Sequence, residues 1–296
     1  MSIARRGTFL IDMLLLGVVV IWALNFSVAK ITLAQIDPMS FNGIRFLLAI
    51  LFMWIILIFK GKWVAIRKED YISLVILGLA GNFIYQLFFI FGLDRTFSAN
   101  AAVMLGTMPV WVSVLSHFFY DEKMNLKKVV GVSLAFMGVI LILLGKADRI
   151  TLSSETFVGD LLTLASALVF AYYTVLSKKL MIYYPPMQLT TVTMTIGGLA
   201  LVLTGIPWML ELNFGSISWQ AYGGVFYSGI LSIGVAFIIW SYGLKQVGAT
   251  YTSTFQNLVP VLGLVLGFFI LGEKLTLIQY IGAAVVIAGI IQTRRK

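Results

Sequence analysis

Residues 92–123 read GLDRTFSANAAVMLGTMPVWVSVLSHFFYDEK, and residues 243–274 read GLKQVGATYTSTFQNLVPVLGLVLGFFILGEK. Both stretches open on Gly-Leu, carry a proline at the same place and close on Glu-Lys. A shift of 151 lays Gly92 on Gly243, Pro109 on Pro260, Glu122 on Glu273 and Lys123 on Lys274. It runs on without a gap to Gly131/Gly282 and Gly138/Gly289, and back to Tyr71/Tyr222 and Gly78/Gly229. Further upstream a shift of 148 relates Asp12 to Asp160, Ala23 to Ala171, Lys30 to Lys178 and Pro38 to Pro186. The chain repeats itself almost end to end. The second copy holds a net three extra residues, expected in the loop between its second and third helices.

The composition says what is repeated. Of 296 residues, 60% are hydrophobic and 11% charged. A water-soluble fold would have too few charges to cover that much apolar surface. Apolar runs of about 20 residues, each long enough to cross the hydrocarbon layer as a helix, recur throughout. Ten spans are predicted, near 9–29, 39–59, 71–92, 98–120, 126–145, 159–180, 187–209, 219–241, 249–271 and 276–292. Arg5 and Arg6 precede the first span, but no A-x-A-like cleavage site closes it, so it reads as a helix rather than a signal peptide. The expected architecture is an all-α integral membrane protein of two five-helix repeats, residues 1–145 and 159–296, joined by a connecting loop at 146–158. Five crossings is an odd number, so the second copy starts from the opposite side of the membrane. That makes an inverted-topology repeat.

The net charge of +9 follows the same logic. With ten spans, fifteen Lys and Arg residues fall on the face that holds both termini, against five on the other. The positive-inside rule then places both termini in the cytoplasm. The basic excess is a topology signal, and no nucleic-acid partner is expected. The absence of cysteine excludes disulfides, iron–sulfur clusters and cysteine nucleophiles.

The stretch Trp22-Ala23-Leu24-Asn25-Phe26, with Pro38 and Arg45-Phe46 leading into the second span, resembles the opening of EamA-type transporters of the drug/metabolite transporter superfamily. The proline-bearing helix followed by Glu-Lys and a glycine-spaced helix is similar to that family's repeat unit. The resemblance covers nearly the whole chain. One departure is Asp121-Glu122 in the first copy against Gly272-Glu273 in the second. The resemblance implies metabolite efflux, export of amino acids or related compounds from a bacterial cytoplasm, and a multi-pass protein of the inner (plasma) membrane.

Candidate functional residues are the polar and aromatic groups that sit too deep to be interface anchors. Polar side chains in lipid-exposed helices are costly, so they are expected to face inward. In the first span these are Trp22 and Asn25, with Tyr173 the counterpart of Asn25. Asn82, Tyr85 and Gln86 share one face of the third span at α-helical spacing. Ser253, Gln256 and Asn257 precede Pro260. Each such residue has an alternative reading as an interhelical hydrogen bond; the occurrence of clusters in both halves favours a substrate-binding role for the set. Pro109 and Pro260 lie mid-span, where each removes a backbone donor, and are expected to kink their helices. Arg45 either snorkels to the outer surface, holds a substrate carboxylate or pairs structurally. His117, the only histidine, reads as an interfacial residue.

No paired carboxylates at depth, metal-ligand cluster or P-loop is present in the sequence. No enzyme activity, cofactor or metal is therefore expected, nor direct ATP coupling by this chain. The expected partners are a small-molecule substrate and the lipid bilayer. The expected function is secondary transport of a small organic metabolite by alternating access. The rivals are import of a nucleobase-, vitamin- or sugar-like solute, and a non-transporting membrane scaffold or sensor.

Overall fold

The structure, a computed structural model, describes residues 3–96, 103–119, 125–144, 157–262, 265 and 276–294. The Asp121–Lys123 and Gly272–Lys274 ends of the repeat lie outside the described residues, as does the connecting loop up to residue 156. Among the described residues the chain is helical with no strand. Helices α1 (Ile3–Leu33) and α2 (Pro38–Lys60) come first. The third span is built from α3 (Tyr71–Leu79), a π-helical stretch Ala80–Ile84 and α4 (Tyr85–Asp94). Then follow α5 (Met108–Phe119), α6 (Leu126–Leu144), α7 (Phe157–Leu180) and α8 (Pro186–Glu211). The next span is α9 (Trp219–Phe226), a π stretch Tyr227–Val235 and α10 (Ala236–Val247). Last come α11 (Ala249–Thr254), a 3₁₀ turn Phe255–Asn257 and α12 (Leu277–Arg294). Five of the helical rods, Pro38–Lys60, Lys68–Gly92, Phe157–Leu180, Pro186–Glu211 and Trp219–Val247, are long and apolar enough to cross a membrane.

Local sequence explains the starts. Pro38 and Pro186, equivalent at the shift of 148, each occupy the first turn of a helix, where a missing N–H costs nothing. Asp37 caps α2, its Oδ1 accepting from the Met39 and Ser40 amides at 3.0 and 2.9 Å. The faces are divided as a bilayer requires. On α2, Phe46, Ile50, Met53 and Leu57 are buried, while Leu47, Leu51, Ile55 and Ile58 are exposed at spacings of four and three. Ile58 is 72% exposed, one of a row of apolar side chains on that outer face.

Two compact units emerge, and each draws on both halves of the sequence. The first comprises residues 1–83 and 177–246, the second 84–176 and 247–296. In the first unit α2 packs antiparallel on α8. Gly205 meets the Met39 carbonyl, Gly43 meets Val202 and Met209, and Gly198 meets Phe46 and Ile50. These two helices are equivalents at the shift of 148. Across them lie two further equivalent contacts: Gly78 of α3 abuts the Thr193 carbonyl, and Gly229 abuts the Arg45 carbonyl. In each, a Cβ added to the glycine would stand 2.8 Å from that oxygen.

The second unit repeats the device with α6 and α12, which are equivalents at the shift of 151. A Cβ on Gly138 would lie 2.7 Å from the Gly282 carbonyl, and one on Gly282 would lie 2.8 Å from that of Gly138. Gly131 and Gly289 face each other in the same way. Small residues let the backbones approach this closely, which is how helices associate where no hydrophobic force separates protein from solvent.

Candidate functional site

The π stretches stand at equivalent places, since 80–84 shifted by 151 falls on 231–235, inside Tyr227–Val235. Such insertions re-aim side chains within an otherwise regular helix and concentrate at functional sites. In the third span the π stretch breaks the α register. Asn82 lies within it and belongs to the first unit, while Tyr85 and Gln86 follow it and belong to the second. The spacing of the three residues therefore runs across a change from π to α helix. The Asn82 amide donates to the Thr193 carbonyl at 3.2 Å, and its Oδ1, fully buried, has no partner.

The rest of the first unit's set lines α1 and the span that follows α9. The Trp22 indole donates to the Ser232 carbonyl at 3.0 Å. Its ring stands edge-on to Phe237 and 5.1 Å from that of Trp240. Trp240 is 1% exposed and its Nε1–H has no acceptor. One turn away, the Ser228 hydroxyl donates to Asn25 Oδ1 at 2.7 Å. Ser228 through its hydroxyl and Ser232 through its carbonyl, both in the π stretch, meet α1, and sequence reasoning passed over them.

Arg45 is 6% exposed, so it does not snorkel. Its Nε donates to Asn42 Oδ1 at 2.8 Å, and its guanidinium lies over the Phe41 and Phe46 rings at 4.8 and 5.7 Å. Asn42 Nδ2 and Ser40 Oγ, both buried nearby on α2, have no partner.

In the second unit an aromatic chain runs from α4 to α7. Tyr85 stacks on Phe89, lies 4.8 Å from Phe170, and Phe170 lies 5.6 Å from the buried Tyr173. Phe170 carried no signal of its own in the sequence. Gln86 is buried beside this chain on α4. The two prolines mark interruptions. Helix 103–106 ends at Thr107, whose hydroxyl accepts from the Trp111 indole, and Pro109 is the second residue of α5. In the second copy α11 ends at Thr254, a 3₁₀ turn intervenes, and Pro260 sits just inside the resumed helix 258–262. Ser253, completely buried, turns its hydroxyl onto the Thr250 carbonyl. Gln256 Oε1 and both polar atoms of Asn257 are buried without partners.

The EamA-like transporter family matches the chain twice, over residues 9–144 and 157–294. The chain belongs to this family. The matched segments span both copies of the repeat read from the sequence. The "Uncharacterized transporter YyaM" of Bacillus subtilis (strain 168) is 31% identical over 284 residues, covering 95% of this chain and 92% of that protein. A "Probable amino-acid metabolite efflux pump" of Escherichia coli (strain K12) is 25% identical, covering 94% and 92%. A solved crystal structure at 18% identity superposes with a TM-score of 0.82 over 96% of this chain and 97% of its own, which establishes the fold. This is a membrane protein and a transporter of the EamA type, a class to which no catalytic activity attaches.

A charged cluster of this EamA protein gathers where the Lys68–Gly92 and Pro186–Glu211 rods begin. The Arg67 Nε donates to Asp70 Oδ2 at 2.7 Å, and the Tyr184 phenol donates to the same carboxylate. The Arg67 amide donates to that phenol at 3.1 Å, and the Arg67 guanidinium covers the Tyr183 ring at 3.5 Å. Gln188 completes the clasp, accepting from the Val64 amide at 2.9 Å and donating to its carbonyl at 2.7 Å. Burial, and then the Asp70 carboxylate, push the Tyr184 phenol above the ordinary tyrosine value.

Proposed function

We propose that this chain is a secondary carrier that moves a small organic metabolite, an amino acid or related compound, outward across the membrane by alternating access. In this reading ten transmembrane helices form two inverted-topology five-helix repeats in the bacterial inner membrane, with both termini in the cytoplasm. The observation that carries it is the reciprocal packing of equivalent helices, α2 against α8 and α6 against α12. Antiparallel packing of equivalent helices, close at glycines in both pairs, supports two copies that enter the membrane from opposite sides. Carriers built this way expose one site alternately to each side without chemical input.

The direction and cargo class draw support from the relative named as an amino-acid metabolite efflux pump. The candidate substrate-binding residues are Trp22, Asn25, Asn82, Tyr85, Gln86, Tyr173, Ser253, Gln256 and Asn257. Aromatic walls with neutral amides and hydroxyls suit a neutral or zwitterionic solute. Arg45 is assigned a structural role, holding Asn42 and the start of α2.

The test is counterflow in proteoliposomes preloaded with pooled amino acids. Saturable exchange that drops at least tenfold in Asn25→Ala or Gln256→Ala, in protein that stays folded, supports carrier and site together. Exchange indifferent to both substitutions removes the site and keeps the carrier. The absence of exchange across amino acids, nucleobases, vitamins and sugars would remove the carrier.

A further inference from the structure

We propose that the break between α11 and residue 258 holds a monovalent cationic group, bound by neutral side-chain oxygens. For the case in which that group belongs to the cargo, the inference rests on the carrier reading above. Four side-chain atoms in this short segment are buried without partners: Thr252 Oγ1, Gln256 Oε1, and Oδ1 and Nδ2 of Asn257. Thr252 is 0% and Asn257 1% exposed. Thr252 lies in the last turn of α11, and Gln256 and Asn257 lie in the 3₁₀ turn directly after it. The other hydroxyls of the segment are already engaged: Ser253 donates to the Thr250 carbonyl and Thr254 to that of Tyr251. Helix α11 packs against α5, where Ser116 Oγ, also 0% exposed, is another oxygen without a partner.

The kind of atom decides the occupant. Amide oxygens only accept, so whatever serves Gln256 Oε1 and Asn257 Oδ1 must donate protons or carry positive charge. No Asp or Glu lies between residues 249 and 262. A divalent ion, which demands carboxylates, is therefore poorly served. A singly charged group matches neutral oxygens at the end of a helix whose C-terminal dipole is negative. Interrupted membrane helices offer such oxygens to sodium in other carriers. A primary ammonium fits as well, because its three donors equal the three orphaned oxygens of the segment. The shared chemistry is one positive charge, supplied by an alkali ion or by the amine of the solute.

Full-length protein in lipid nanodiscs and proteoliposomes distinguishes the two sources. Binding of ²²Na⁺ is measured directly. In parallel, exchange of pooled L-amino acids is challenged with their 2-hydroxy-acid analogues, which lack the amine. Thr252→Val and Asn257→Leu remove the oxygens at similar volume, Thr252→Ser restores one, and thermal unfolding verifies that each variant is folded. Saturable ²²Na⁺ binding that weakens at least tenfold in Thr252→Val and returns in Thr252→Ser supports an alkali ion. Exchange in which the hydroxy acids compete at least tenfold less well, a preference erased in both variants, supports the amine. If ²²Na⁺ binds in this variant-sensitive way but no amino acid exchanges, the site stands and the amino-acid reading of the cargo falls. If exchange occurs but ignores sodium, amine and both substitutions, the carrier stands and this site is overturned, its oxygens serving only water.

Discussion

At the scale of single residues, the deepest polar groups divide into those with partners and those without. Arg45 is charged and buried, yet Asn42 and two phenylalanine rings surround it, so it reads as a fixed part of α2. Trp240, by contrast, keeps an unsatisfied N–H behind Trp22, at the kind of position where a solute acceptor would be recognised. Backbone geometry is just as selective. Gly248 alone joins α10 to α11, at φ 92° and ψ 163°, a region open in practice only to glycine. Gly248→Ala is expected to lower stability by about 1–3 kcal/mol, read as a fall in thermal midpoint in detergent.

At the scale of elements, the glycine seams define which helices pair. Gly138→Val would push a branched side chain into the Gly282 carbonyl and the Val286 amide, and α12 cannot withdraw without losing Gly131 against Gly289 as well. Overpacking of this kind costs about 1–3 kcal/mol or more; the expected readout is loss of monodisperse protein, with Gly131→Ala milder. The clasp between the 61–70 segment and the start of α8 makes a different prediction. Gln188→Leu forfeits both bonds to Val64, at about 1–3 kcal/mol. Its pH dependence has a definite sign. The Tyr184 phenol is held above its unfolded value, so its contribution is complete below about pH 10 and is lost as pH rises through the higher folded value. Thermal midpoints from pH 8 to 12 should fall on that upper limb, and Tyr184→Phe should flatten it.

The same elements show what the residues announced in advance. Pro38 and Pro186 do start helices, and Gly131, Gly138, Gly282 and Gly289 were visible as equivalents. Equivalence is not contact, however. Nothing in a repeat says that a helix packs on its own copy; that depends on where the pseudo-two-fold passes, a tertiary property. The π stretches were equally hidden, because hydrophobic periodicity in a fully apolar span hardly registers one extra residue per turn. The spacing of Asn82, Tyr85 and Gln86 carried no sign of the change from π to α helix between Asn82 and Tyr85. The orphaned amides of Gln256 and Asn257 could be suspected from their depth, but their lack of partners could not.

At the scale of the whole molecule, the units do not follow the repeats. Residues 1–83 find their complement in 177–246, and 84–176 in 247–296. Neither half of the sequence can complete either unit alone. Expressed separately, residues 1–150 and 151–296 are each expected to be degraded or aggregate, whereas co-expression restores a stable complex with transport. Recovery of a monodisperse first half by itself would count against this picture.

The seam between α6 and α12 also sets a timetable for biosynthesis. When α6 leaves the ribosome its glycine face has no mate, and the helix that fits it is encoded about 150 residues later. The second unit therefore stays open until α12 has been made. A lesion in the eighteen residues of α12 would leave the early helices inserted but unmated, a substrate for membrane proteases rather than a weakened carrier.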